Sequence, residues 1–87
     1  MALTDDYFAS HDVIRKYEYI DGFDYEIDLS RDFYFDNETD ILTWLVDSFG
    51  YDEINGYWML QEVTYSKSIR FSFVYPEQLT AFKLRWI

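Results

Sequence analysis

The chain reads as a small α+β domain: an antiparallel or mixed sheet of roughly three to five strands with two helices packed on one face. Three observations predict it. Residues 57–65 and 69–75 are period-2 runs joined by short polar residues, residues 23–29 alternate strictly between apolar and acidic, and residues 38–49 and 77–86 carry apolar stripes at helical spacing.

The elements follow in order. Thr4, with Asp5, Asp6 and Tyr7 after it, can cap a first helix bearing Tyr7, Phe8, His11 and Ile14 or Arg15 along one side. Asp21-Gly22 lies between Tyr17 and Tyr19 on one side and Phe23 on the other, and Asp-Gly supplies the positive-φ pair of a tight hairpin turn. A hairpin is expected there, or at least a strand over 23–29 with Phe23, Tyr25, Ile27 and Leu29 inward and Asp24, Glu26 and Asp28 outward. The stretch RDFYF at 31–35 reads equally as a short strand or an aromatic loop.

The helix over 38–49 is the best marked. Asn37 is a capping residue, Glu38 and Asp40 sit in the first turn, Ile41, Leu42, Trp44, Leu45, Val46 and Phe49 form a wide apolar face, and Gly50 can take a left-handed terminal position. Residues 51–56 form a polar loop. In the strand 57–65, Tyr57, Met59, Gln61, Val63 and Tyr65 share one face; Ser66, Lys67 and Ser68 make the connection; and Ile69, Phe71, Phe73 and Tyr75 alternate against Arg70 and Ser72. Pro76 has no N–H for a ladder and suits the first turn of a helix. In that helix, 77–86, Glu77 favours the N-terminus, Lys83 and Arg85 favour the last turn, and Leu79, Phe82 and Trp86 form the stripe that covers a sheet. The order strand, helix, strand, strand, helix resembles part of a ferredoxin-like βαββαβ arrangement. A right-handed crossover would run strand 23–29 parallel to one strand of the later hairpin.

Eighty-seven residues are enough for one domain with one core, and a 23% aromatic content gives that core large rings to bury. The absence of Cys excludes disulfides, thiolate metal sites and a cysteine nucleophile. The first ten residues lack a basic start and an apolar run, and no apolar stretch is long enough to span a bilayer, so the expected setting is a cytoplasm. Net charge is −10, unevenly spread: residues 1–66 hold sixteen of the seventeen acids against Arg15, Lys16 and Arg31, a net of −13, whereas residues 67–87 carry Lys67, Arg70, Lys83 and Arg85 against Glu77, a net of +3. Such a charge repels nucleic acid and anionic membranes and steers the chain toward basic surfaces, besides keeping it in solution.

Motifs for chemistry fail on spacing. Ser10-His11-Asp12 has triad residue types, but neighbours in sequence cannot adopt the relay geometry. Residues 36–40 begin like a calcium loop, yet Ile41 stands where glycine is required and Asp47 where the closing glutamate belongs. Asp24, Glu26 and Asp28 are rooted about 6.6 Å apart on a strand, a solvated row rather than a catalytic carboxylate pair. Phosphate loops and aromatic-basic nucleic-acid platforms are missing, so a non-enzymatic chain without cofactor or metal is expected.

The ending FSFVYPEQLTAFKLRW, from Phe71 to Trp86, resembles the C-termini of small uncharacterised proteins of tailed bacteriophages. The likeness covers roughly the last fifth of the chain and implies an origin in a phage-infected cell, with no activity attached. Two functions are then expected in competition. In one, an inhibitor resembling a DNA mimic uses Asp24, Glu26, Asp28, Asp36, Glu38 and Asp40 to cover the basic, nucleic-acid-binding surface of a host protein. Duplex DNA carries a charge per about 1.7 Å of axis, so the strand and helix acids would have to lie side by side. In the other, an assembly module, self-associating or joined to another particle component, uses exposed aromatics such as Tyr34, Tyr51 or Trp58.

Overall fold

The computed structural model describes residues 21–51 and 56–87, with the backbone alone of residues 14–16. It is an α+β fold. Strands β1 (Ile14–Lys16), β2 (Tyr25–Ser30), β3 (Trp58–Val63) and β4 (Ser68–Phe73) form one sheet in the order β1-β3-β4-β2, with helices α1 (Arg31–Asp36), α2 (Glu38–Phe49) and α3 (Pro76–Trp86). β1 runs parallel to β3, and β4 is antiparallel to both β3 and β2. β2 and β3 therefore point the same way with β4 inserted between them, which is the split βαβ expected from the element order.

The N-terminal arm of the hairpin expected at Asp21-Gly22, with Tyr17 and Tyr19, lies outside the described residues, and the strand expected after the turn is present as β2. A turn is present and Gly22 has φ +98°, but β1 and β2 occupy opposite edges of the sheet. β2 instead finds a six-residue partner in β4, where Tyr25, Ile27 and Leu29 stand opposite Phe73, Phe71 and Ile69. Those apolar cross-strand pairs hold β2 in the sheet. The proposed first helix, with Thr4, and the residues Ser10, His11, Asp12, Tyr17 and Tyr19 lie outside the described residues.

RDFYF is neither strand nor loop but the body of α1. Ser30 Oγ accepts a hydrogen bond from the Phe33 N–H at 3.1 Å, Asp32 stands in the first turn, and Tyr34 turns completely inward, so cap and core override the strand preference of the aromatics. α2 begins and ends as expected. Asn37, however, makes no capping hydrogen bond; its Nδ2 donates to the Phe33 carbonyl at 2.9 Å, tying α2 back to α1. Gly50 closes α2 with φ +112°. The β3–β4 connection is a 3-10 turn, Thr64–Ser66, followed by Lys67 in the left-handed region at φ +52°.

The core lies between the sheet and α1, α2 and α3: Leu29, Tyr34, Ile41, Leu42, Leu45, Trp58, Leu60, Ile69, Phe71, Phe73 and Phe82 form one buried cluster. Phe82 of α3 is its hinge, with ring centroids 4.7 Å from Phe71, 5.6 Å from Phe73 and 5.9 Å from Trp44. On β3 the helix-covered face is Trp58 and Leu60, opposite Phe73 and Phe71; Met59 and Val63 are buried on the other face. Polar ties hold Gly50 and Gly56 against β3 and α3. Trp58 Nε1 donates to the Gly50 carbonyl at 2.7 Å, Gln78 Nε2 donates to the Gly56 carbonyl at 2.8 Å, and the Tyr75 N–H donates to Gln78 Oε1 at 3.1 Å. A Cβ at residue 56 would overlap the Gly50 carbonyl and the Trp58 indole, so only glycine fits there.

Candidate interaction surface

From Asp21 to Phe49 the chain carries nine acids and one base, Arg31, a net of −8. This stretch is β2, α1 and α2, and the fold divides its carboxylates between two layers. Because Ile27 and Leu29 pack toward the helices, alternation places Glu26 and Asp28 on the opposite sheet face, and Asp24, just before β2, is exposed. Asp36, Glu38 and Asp40 belong to the helix layer, at the junction of α1 and α2. The side-by-side arrangement that a continuous DNA-like row requires is not what the fold provides.

The strand acids have a cation of their own. Arg70 of β4 stands directly opposite Asp28 and binds it through two hydrogen bonds, Nε to Oδ1 at 2.7 Å and Nη2 to Oδ2 at 3.1 Å, with Glu26 Oε1 3.9 Å from Nε. The hydrogen bond to Asp28 holds the guanidinium pKa above its ordinary value, against partial desolvation, helped by the Asp28 charge, Tyr65 and Glu26. The signal for Arg70 was its outward place in the 69–75 alternation; its partner depended on a register that no short-range pattern specifies.

In the helix layer, Glu38 is half-buried and its Oε2 accepts from the Tyr34 hydroxyl at 3.0 Å. Burial, with the Glu38 charge and hydrogen bond added, pushes the Tyr34 phenol well above its ordinary pKa. Asp32, Asp36, Asp40 and Asp47 are exposed and form no ion pair among the described residues. Glu38 and Asp40 also have a structural role, since acids favour a helix N-terminus. Asp47 has none, as it stands in the last turns of α2 where the dipole disfavours it. Arg31, the one base of the stretch, is 3.2 Å from Glu62.

The aromatics expected at the surface are corrected by their burial. Tyr34 and Trp58 are core residues, because α1 turns one inward and β3 directs the other toward the helices, and Tyr51 is half-buried. Among the described residues the exposed rings are Tyr65, at 86%, and Tyr25, Phe33, Phe35, Tyr57 and Tyr75. Among the described residues no helix is long and apolar enough to cross a membrane. Comparison with protein-family models, curated proteins and solved structures finds no match to this chain.

Proposed function

We propose that the chain is a non-enzymatic acidic binding protein, phage-encoded and acting in a host cytoplasm, whose β2–α1–α2 stretch covers the basic, nucleic-acid-binding surface of a host protein. The observation that carries this reading is the exposure of Asp32, Asp36, Asp40 and Asp47 without an ion pair among the described residues, in a stretch of net charge −8. The field of such a surface draws a basic partner and weakens with ionic strength, because exposed charges are screened beyond about 8–10 Å near physiological salt.

The test is capture from a bacterial lysate by the immobilised chain, at low and then at high salt, beside Asp36→Lys/Asp40→Lys. Nucleic-acid-binding proteins should be retained at low salt, released at high salt and lost with the variant. Capture that is indifferent to salt and to the variant would favour the alternative, an assembly module. That reading has its own observation: Leu84 and Ile87 are 84% and 75% exposed at the end of α3, and Tyr65 is exposed beyond β3.

A further inference from the structure

Among the described residues β2 is an edge strand, and its outer side can be assigned residue by residue. The Arg31 N–H donates to the Lys67 carbonyl at 3.0 Å, so residues 31 and 67 form a hydrogen-bonded pair in the ladder that continues β2 and β4. In an antiparallel ladder such pairs alternate, so residues 29, 27 and 25 bond to β4 while residues 28 and 26 direct N–H and C=O outward. The far side of β4 agrees: the Val74 N–H donates to the Tyr57 carbonyl at 3.1 Å, which assigns residues 72, 70 and 68 to β3 and leaves 73, 71 and 69 for β2. Among the described residues no strand pairs with the outer side of β2. In a complete βαββαβ sheet the last strand pairs beside the first, at the position that corresponds to this edge.

We infer that the outer edge of β2 takes up an extended segment of the basic partner as a fifth strand, hydrogen-bonded to the backbone of Glu26 and Asp28, with Lys or Arg at alternate positions. This rests on the proposed function and specifies how the partner is held. Arg70 shows the geometry in the fold itself, a cation opposite Asp28 on the neighbouring strand. A cation at the same register of an added strand meets Glu26 and Asp28 from the outer side, about 5 Å away. On the helix-facing side, the intervening residues of that strand meet Tyr25 and Ile27, which are 40% exposed and half-buried respectively, so apolar residues fit there. A second copy of this chain does not fit. The outward-bonding residues are even-numbered, so two fully overlapped antiparallel β2 strands would set Glu26 and Asp28 of one copy against Asp28 and Glu26 of the other, and a slip of two residues either way still leaves an acid opposite an acid, a like-charge device against edge pairing. Addition of a strand to a sheet edge is a recurrent mode of peptide recognition, in which alternation gives specificity.

The probe is an acetylated, amidated peptide as long as β2 that alternates Lys and Val, beside a peptide of equal composition with its lysines in one block. The readout is amide hydrogen exchange. The alternating peptide should slow exchange at Glu26 and Asp28 by about tenfold or more while the block peptide does not. A second arm compares Glu26→Gln, which keeps the N–H, with Glu26→Pro, which removes an N–H that faces away from β4 and is tolerated on an edge. Glu26→Pro should bind the alternating peptide about tenfold more weakly than Glu26→Gln, the worth of a backbone hydrogen bond. Unchanged exchange at Glu26 and Asp28, equal slowing by the block peptide, or slowing without peptide that grows with protein concentration would each overturn the inference, the last in favour of a second copy. Slowing confined to α1 and α2 would overturn it too, yet leave the acidic binding reading intact.

Discussion

Glu26 and Asp28 on β2 and Asp36 and Asp40 at the α1–α2 junction come from one stretch of like charge, yet they offer a partner different things. The strand pair is tied to a backbone ladder, with Arg70 fixing the carboxylates on one side and, on the other, N–H and C=O groups that no strand among the described residues takes up. The helix pair has no ion-paired cation among the described residues and lies in helices rather than on a sheet edge; both acids are exposed, and Asp40 also favours the N-terminus of α2. In the proposed binding mode the first would select an extended shape, and the second would supply a field that raises the rate of encounter. Counting acids along the sequence gives both the same weight, and the sheet register separates them.

The largest effect removes what positions both regions. Leu45→Ala or Phe73→Ala, each at a fully buried site, should cost about 2–5 kcal/mol. Melting curves that match the parent would mean the two layers do not share this core. Tyr34→Phe, which breaks the hydrogen bond to the Glu38 carboxylate in the helix layer, should cost about 1–2 kcal/mol. It also carries a pH signature. The folded state holds the Tyr34 phenol above its ordinary value, so the folded protein keeps that proton where the unfolded chain has lost it. The stabilisation is complete below about pH 10, the ordinary tyrosine value, and declines as pH rises above it. Denaturation midpoints taken up to alkaline pH should fall for the parent and fall less steeply for Tyr34→Phe.

A sharper contrast comes from one substitution placed in each region. Asp28→Lys sets two cations opposite each other and should cost about 1 kcal/mol, the pair being largely solvent-screened. Asp36→Lys should stay within about 0.5 kcal/mol of the parent. Equal costs in a denaturant series would erase the distinction between tied and untied carboxylates. The smallest effect is a gain: Asp47→Lys replaces an acid near the negative end of α2 and should raise stability by about 0.3–1 kcal/mol, read as a higher melting temperature.

Much of the fold was legible where local signals agreed. α2 announced itself by its apolar face, first-turn acids and Gly50, and α3 by Pro76, Glu77 and the Leu79–Phe82–Trp86 stripe. Elements whose partners are distant in sequence were harder to read. Asp21-Gly22 does turn, but the strand after it pairs with β4 more than forty residues on, as the register Asp28 to Arg70 shows. RDFYF hid a helix because Ser30 as cap and Tyr34 as core anchor act through contacts with the rest of the fold. The acidic residues were read in place, but Arg70 and the outer edge of β2 emerge only from the strand order.

The central claim, that the acidic stretch is a binding surface for proteins that otherwise hold nucleic acid, is tested most directly by competition. Bacterial nucleic-acid-binding proteins are loaded on duplex-DNA resin, and the chain is added at low ionic strength. The parent should release a discrete set of proteins, the release should fade as salt rises, and Asp36→Lys/Asp40→Lys should release few or none. Release of nothing by the parent at any salt, or of the same set by the variant, would contradict the account.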